Sequence, residues 1–365
     1  MNVRILLVNE ASGVQSYLAR GLRSLDHEVV HATPYGVSRQ SRSVDVHLGV
    51  EGSGPLKAVE RMWRSPRRLK QLGRFDVVHF VLGITAYASR WQRHSDLKGF
   101  QRVDSLISYT GLGCDEISLL RVREGDPERS PCASCQALDA IGAICQSRIL
   151  SQRQRTSQFA PYVNVCVSPM PDYDHASAFF PNASFTRIPL PVDVPDIAHA
   201  RRPGKLRLVH APSRRGFKGT DVIVTAIELL RASRDDFEFS ILENLTHEQF
   251  LHRLLDADVL IDQVHSFGAG MAALEALAQG KVVVSGNAPA TRAYFSWGDE
   301  NPILDASADP VLLARQLATV LDAPDLVPHR IAEGMAYVKR RHDSVVVARQ
   351  YVDAWAHHGT CASNA

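Results

Sequence analysis

Short apolar runs alternate with helical patterns from the start of this 365-residue chain. Residues 3–8 form an apolar run, and residues 14–25 carry apolar side chains at the spacing of one helix face. A second apolar run opens at Val29. A strand, a helix and a strand in this order are typical of a β-α-β unit with parallel strands. The pattern predicts that the chain begins with a doubly wound sheet, whose ligands lie beyond the carboxyl ends of the strands.

The same alternation returns in the second half of the chain. Four apolar runs predict strands, at 206–211, 237–242, 258–262 and 282–284. Helical patterns cover 310–321, 327–340 and about 344–355. Thr246 and Gln249 have the spacing of a capping box and predict a helix start.

The stretch from 266 to 286 organises this second half. Gly268 and Gly270 allow a sharp turn after the strand at 258–262, and residues from Met271 onward are strong helix formers. The N-terminus of such a helix attracts a phosphate. Glu275 lies just over one turn into it and would suit the ribose hydroxyls of a nucleotide. The alternative is an ordinary β-α-β unit with a solvated glutamate.

A basic loop follows the strand at 206–211. Residues 212–219 contain Arg214, Arg215, Lys218 and two glycines. Cations and glycines at the carboxyl end of a strand are typical of an anion site. A solvated basic loop is the alternative.

Length and composition restrict the class of protein. The length predicts two domains, and 45% hydrophobic with 22% charged residues is ordinary for a globular protein. The net charge of +2 argues neither for nor against nucleic acid. No apolar run approaches the roughly 18 residues that span a bilayer, and the N-terminus does not resemble a signal peptide. We therefore expect a cytoplasmic protein whose cysteines are thiols or metal ligands.

Four of the six cysteines are concentrated in a short stretch, and two of them form a Cys-x-x-Cys knuckle. Four thiolates suit a closed, structural zinc site. Buried free thiols, a redox dithiol and an iron–sulfur cluster are the alternatives. The predicted zinc ligands are Cys114, Cys132, Cys135 and Cys145.

The segment 61–74 contains six basic residues and no acidic one, with Trp63 among them. A basic amphipathic segment can lie on an anionic membrane surface, here the inner face of the membrane. The alternative is a solvated helix face that breaks near Pro66.

The stretch from Leu274 to Val283 resembles the motif Glu-Ala-Met-Ala-x-Gly-x-Pro-Val-Val of retaining glycosyltransferases of family 4, which have the GT-B fold. The chain departs from the family pattern in two places. Phe267 stands where the family has a glutamate that contacts the donor sugar, and Thr110 stands where it has a histidine close to that sugar.

The resemblance implies an α/β fold of two Rossmann-like domains that face a central cleft, with a C-terminal helix crossing back to the first domain. It implies an acceptor domain with the cysteine cluster over 1–187, a Pro-rich hinge over 188–204, a donor domain over 205–343, and the crossover helix and tail over 344–365. It also implies transfer of a hexose from a nucleoside-diphosphate sugar, with retention, to a sugar, lipid-linked or small-molecule acceptor, and no nucleic-acid partner. The alternatives are an inactive GT-B protein that binds a glycan or partner, and a sugar-nucleotide epimerase.

Residue roles follow from the same resemblance. Arg215 and Lys218 would neutralise the departing diphosphate, with Arg214 as the alternative for the first role. Asp115 would bind an acceptor hydroxyl, or cap a helix. The expected donor-binding residues are Gly13, Arg214, Arg215, Lys218, Gly268, Ala269, Gly270, Met271 and Glu275.

Overall fold

The computed structural model describes residues 2–34, 44–50, 54–81, 85–87, 95–113, 160–174, 176–195, 203–297 and 300–362. Two parallel sheets dominate this part of the chain. The strands of one sheet end at residue 187, and those of the other begin at residue 206. The predicted domain limits themselves remain predictions.

The first sheet has seven strands in the described part of the chain, and helices lie between them. The strands are β1 Arg4–Val8, β2 Glu28–Thr33, β3 Val46–His47, β4 Val77–Val81, β5 Leu106–Thr110, β6 Val165–Ser168 and β7 Ser184–Arg187. The helices are α1 Val14–Ser24, α2 Pro55–Gln71, α3 Ser95–Gln101 and α4 Ala176–Phe179. The spatial order is β3-β2-β1-β4-β5-β6-β7. The inner strands β1 and β4 are buried along nearly their whole length because helices cover both faces of the sheet.

The second sheet has five described strands, in the order β12-β11-β10-β8-β9. The strands are β8 Leu206–His210, β9 Phe237–Ile241, β10 Val259–Ile261, β11 Val282–Ser285 and β12 Leu304–Asp305. The helices of this half and of the C-terminus are α5 Arg215–Lys218, α6 Thr220–Arg231, α7 His247–Leu254, α8 Met271–Ala278, α9 Pro289–Tyr294, α10 Pro310–Leu321, α11 Val327–Arg341 and α12 Ser344–Ala362. The predicted capping box forms at the start of α7.

Helix α12 crosses back and packs on the first sheet and on α1. Gly21 of α1 makes the close approach possible, because a Cβ there would lie 2.0 Å from the carbonyl oxygen of Ser344. On the sheet side, the Tyr351 hydroxyl is 2.9 Å from Thr110 Oγ1. The predicted GT-B architecture, with two Rossmann-like sheets and a crossover helix, is confirmed.

Two further expectations concern the helices. The alternative interpretation of segment 61–74, a helix face that breaks near Pro66, is wrong about the break. Helix α2 runs unbroken through Pro66, and Ser65 on its inner face donates a hydrogen bond to Leu48 O at 3.0 Å. Across the described ranges, no helix combines the length and the apolar character needed to cross a bilayer.

Candidate functional site

A cleft of about 460 Å³ lies where the carboxyl ends of the two sheets face each other. Its walls are built by the loops that follow β1, β5 and β6 on one side and β8, β9 and β10 on the other. Loops at the carboxyl ends of parallel strands are where α/β folds bind ligands. Of the predicted donor-binding residues, the cleft lining includes Arg214, Lys218, Gly270, Met271 and Glu275.

Lys218 places a buried ammonium group on the second-domain wall of the cleft. Its Nζ donates to Asp262 Oδ1 at 2.7 Å, and the Ser285 hydroxyl donates to the other oxygen of Asp262 at 2.9 Å. A Cβ on Gly270 would lie 3.8 Å from the same Nζ. An ammonium group has three N–H donors and Asp262 accepts from one, so Lys218 is fixed in position and can still donate to an anion in the cleft.

The two arginines of the basic loop point to different places. Arg214 lines the cleft and lies over the Phe217 ring, with its guanidinium carbon 4.1 Å from the ring centroid. Arg215 pairs with Glu243 through two hydrogen bonds of 2.8 and 2.6 Å, and it is not among the lining residues. Because α5 begins at Arg215, consecutive side chains diverge there. Of the two arginines that the sequence left open, Arg214 is the one that lines the cleft.

Below this loop, a buried histidine joins the ends of β8 and β10 to α6. His210 Nδ1 donates to Ile261 O at 2.7 Å, and the Thr220 hydroxyl donates to Nε2 at 2.9 Å. Burial lowers the pKa of His210 to about 4, so the ring is neutral at pH 7. A neutral ring can donate at one nitrogen and accept at the other, as both bonds require.

The glycine loop before α8 is held by tight backbone packing. A Cβ on Gly286 would lie 2.2 Å from Ser266 O and 2.9 Å from Gly268 O, so no side chain fits beneath the loop. Gln263 Nε2 donates to Gly268 O at 2.8 Å. These contacts fix Gly270 as the N-cap of α8, whose first N–H groups have no partner within the helix. Gly268 and Ala269 line a separate cavity of about 40 Å³ rather than the cleft itself.

Glu275 is held by two side chains that sequence reasoning missed. Its Oε1 accepts from the Tyr17 hydroxyl at 2.8 Å and from His247 Nε2 at 3.0 Å. Tyr17 belongs to α1, so this hydrogen bond joins the two halves of the molecule across 258 residues of sequence. His247 begins α7 at the carboxyl end of β9, and that position was the signal that could have identified it. The carboxylate is thus oriented at the cleft and only 4% exposed.

The first-domain wall contains an acid that the sequence analysis also missed. Glu10 follows β1 and lines the cleft. Its Oε1 accepts from the Gly13 N–H at 2.8 Å, and its Oε2 accepts from Ser16 N at 3.0 Å. Gly13 is the N-cap of α1 with φ of +89°, a conformation that favours glycine, but it is not among the lining residues of the cleft. An acid directly after a parallel strand was the signal available in the sequence.

The two positions that depart from the family pattern both lie in the interior. Phe267 is 9% exposed and is not among the cleft-lining residues. Thr110 is fully buried, and its hydroxyl is 3.2 Å from His79 Nε2, on the side of the sheet that α12 covers. Neither side chain is placed to touch a ligand in the cleft.

The predicted acceptor-binding residue and the predicted zinc ligands lie outside the described residues. They are Asp115 and the zinc ligands Cys114, Cys132, Cys135 and Cys145. Within the ranges that the structure describes, no group of three or more His, Cys, Asp or Glu side chains is arranged to hold a metal ion. The zinc site therefore stays a prediction from the sequence.

Comparison with known proteins finds matches among solved structures. No protein-family model and no curated protein matches the sequence. A glycosyltransferase from Rickettsia africae ESF-5 matches with a TM-score of 0.60 at 13% identity, over 98% of each chain. A sucrose-phosphate synthase from Thermosynechococcus elongatus matches with 0.64 at 13% identity, over 98% of this chain and 99% of the other. The Anabaena protein Alr3699/HepE, solved with UDP and glucose, matches with 0.58 at 11% identity, over 97% of this chain and all of the other. At such low identity the similarity establishes the fold, and the chain has the GT-B architecture of these proteins.

Proposed function

We propose that the protein is a glycosyltransferase that takes a hexose from a nucleoside-diphosphate sugar and transfers it to an acceptor hydroxyl with retention of configuration. One observation carries the proposal: Lys218, the N-terminus of α8 and Glu275 lie on one wall of one cleft. A cation and a helix N-terminus suit a diphosphate, and a fixed carboxylate suits ribose hydroxyls. UDP is the first nucleotide to test, because a structural neighbour was solved with it.

The proposed chemistry is electrostatic. The bond between the sugar C1 and the diphosphate oxygen breaks, and the acceptor oxygen bonds to C1 on the same face. The acceptor proton passes to the departing phosphate oxygen. Lys218, Arg214 and the first N–H groups of α8 stabilise the charge that develops on the leaving diphosphate. Asp115 would bind the acceptor hydroxyl, and Arg215 could contribute to the diphosphate site by leaving Glu243.

A second candidate is a protein that binds a nucleotide sugar without transferring it. The burial of Phe267 and Thr110, at the positions of two family residues close to the donor sugar, favours it. Release of UDP from UDP-glucose with candidate acceptors separates the two. Acceptor-dependent release supports the transferase. Tight UDP-sugar binding with no release, across neutral sugars and lipid-linked acceptors, supports the second candidate.

We also propose that α2 rests on an anionic membrane surface. Leu56, Val59 and Trp63 are 87%, 59% and 56% exposed, and their spacing places them on one helix face. Arg67 and Lys70 continue that face and are exposed. Apolar side chains beside exposed cations are typical of interfacial helices. Binding to vesicles with phosphatidylserine should fall with salt and in the Arg67→Glu variant, and equal binding to neutral vesicles would remove the idea.

A further inference from the structure

The two walls of the cleft differ in charge. The second-domain wall, called the cationic wall below, presents two cations, Arg214 and Lys218, and one carboxylate, Glu275, which Tyr17 and His247 hold. On the first-domain wall, Glu10 is the charged side chain among the described lining residues, and the others are apolar or uncharged. If the diphosphate of the donor binds the cationic wall, the acceptor must approach the wall that carries Glu10.

The Glu10 carboxylate occupies the N-terminus of α1. It accepts from the backbone N–H groups of Gly13 and Ser16, and also from the Ser16 hydroxyl at 2.5 Å. The first N–H groups of a helix have no partner within the helix and carry partial positive charge, so they attract anions. Glu10 is therefore a built-in anion in the place where a ligand phosphate could otherwise bind.

Among the residues that the structure describes, no lysine or arginine neutralises the charge of Glu10, because none of them lies within ion-pair distance of it. The nearest basic group is His31 Nε2 at 3.9 Å, and that nitrogen is 2.8 Å from Asn9 O. The Glu10 side chain is 3% exposed, so water and salt screen its charge weakly.

We propose that Glu10 determines the charge of the acceptor. A neutral or amino-bearing acceptor can approach this wall, whereas a phosphorylated acceptor is rejected. An anionic group would have to displace the carboxylate from α1 or lie beside a like charge in a poorly screened place. The inference rests on the proposed function and deepens it, because it names the acceptor class for the same cleft.

The test is calorimetric titration of the UDP-loaded protein with inorganic phosphate, the group that distinguishes a phosphorylated acceptor from a neutral one. Wild type, Glu10→Gln and Glu10→Ala are compared. We expect phosphate to bind Glu10→Ala about tenfold or more tightly than wild type, because the N-terminus of α1 is vacated. Glu10→Gln should lie between the two, because its amide oxygen can still accept from α1. Glu28→Gln is the matched control, since it removes the same charge from an exposed residue at the start of β2.

Two results would overturn the proposal. One is equal phosphate affinity in wild type, Glu10→Gln and the control. The other is measurable phosphate binding to the UDP-loaded wild type whose affinity does not increase in Glu10→Gln. A thermal melt shows whether Glu10→Ala folds, and Glu10→Gln decides the matter if it does not. If no variant binds UDP, the proposed donor function fails. Titration with inorganic phosphate in the absence of UDP then still tests Glu10. The Lys218→Met background is used there, because it removes the ammonium group that could bind phosphate on the opposite wall.

Discussion

Replacement of Lys218 by methionine is the most informative change to the cationic wall of the cleft. Methionine keeps much of the side-chain length and removes the ammonium group. A charge-assisted hydrogen bond contributes about 1.5–3 kcal/mol. At about 1.4 kcal/mol per tenfold change, UDP should bind the variant roughly 10- to 150-fold more weakly.

The same change affects stability, because Lys218 Nζ lies 2.7 Å from Asp262 Oδ1 and the Asp262 side chain is 1% exposed. Removal of one partner of a buried ion pair costs about 3–5 kcal/mol. The double variant Lys218→Met/Asp262→Asn removes both charges and should recover much of that stability. It should not recover UDP affinity, because the ammonium group is still missing.

The assay is calorimetric titration with UDP, alongside a denaturant melt of each variant. Arg214→Ala and Arg215→Ala are compared in the same assay, and we expect the larger loss of UDP affinity from Arg214→Ala, because Arg214 lines the cleft. Unchanged UDP affinity in a folded double variant would refute the assignment of Lys218 to the diphosphate.

Three further predictions concern packing, pH and metal. Gly21→Ala should destabilise the protein by about 1–3 kcal/mol, because the new Cβ would meet the backbone of Ser344. Gly99→Ala, with nothing within 4 Å, should stabilise it by about 0.4–1 kcal/mol, and denaturant melts of both variants check this. Burial lowers the pKa of three histidines to about 3 or 4, so the unfolded chain takes up protons near pH 6.5 and the folded chain does not. The free energy of unfolding should fall by about 2 kcal/mol per histidine between pH 7 and pH 5. Burial raises the pKa of Asp96 to about 6, so the folded chain takes up a proton there before the unfolded chain does, and this stabilises the fold as the pH falls. Asp96→Asn removes that contribution, so the free energy of unfolding should fall more steeply between pH 7 and pH 5. Denaturant melts at each pH check this. The three histidines are His79, His210 and His342. If the four clustered cysteines hold zinc, elemental analysis should find near one zinc per chain that is lost on acidification, whereas four freely titratable thiols would leave no zinc site.

The regular elements were predictable because their signals are local. The helical patterns at 310–321 and 327–340 correspond to α10 and to all but the last residue of α11. The apolar runs in both halves identified the inner strands within one or two residues at each end. Pro66 misled the prediction, because a proline costs one helical hydrogen bond and the burial of Ser65 and Leu69 beside it can outweigh that cost.

The site was predictable in part, for a different physical reason. Lys218 and Glu275 follow from motif and strand-end position. The choice between Arg214 and Arg215 depends on where a four-residue helix begins, which the sequence does not indicate. The contact between Tyr17 and Glu275 depends on how the two halves of the molecule meet, so no local pattern could reveal it.

We propose that the cationic wall of the cleft, with Arg214 and Lys218, binds a nucleoside diphosphate. Calorimetric titration of the wild-type chain with UDP, GDP and ADP tests it most directly. We expect at least one of them to bind with one site per chain, and its affinity to fall in the Lys218→Met/Asp262→Asn variant. Failure of all three to bind the folded protein would contradict it.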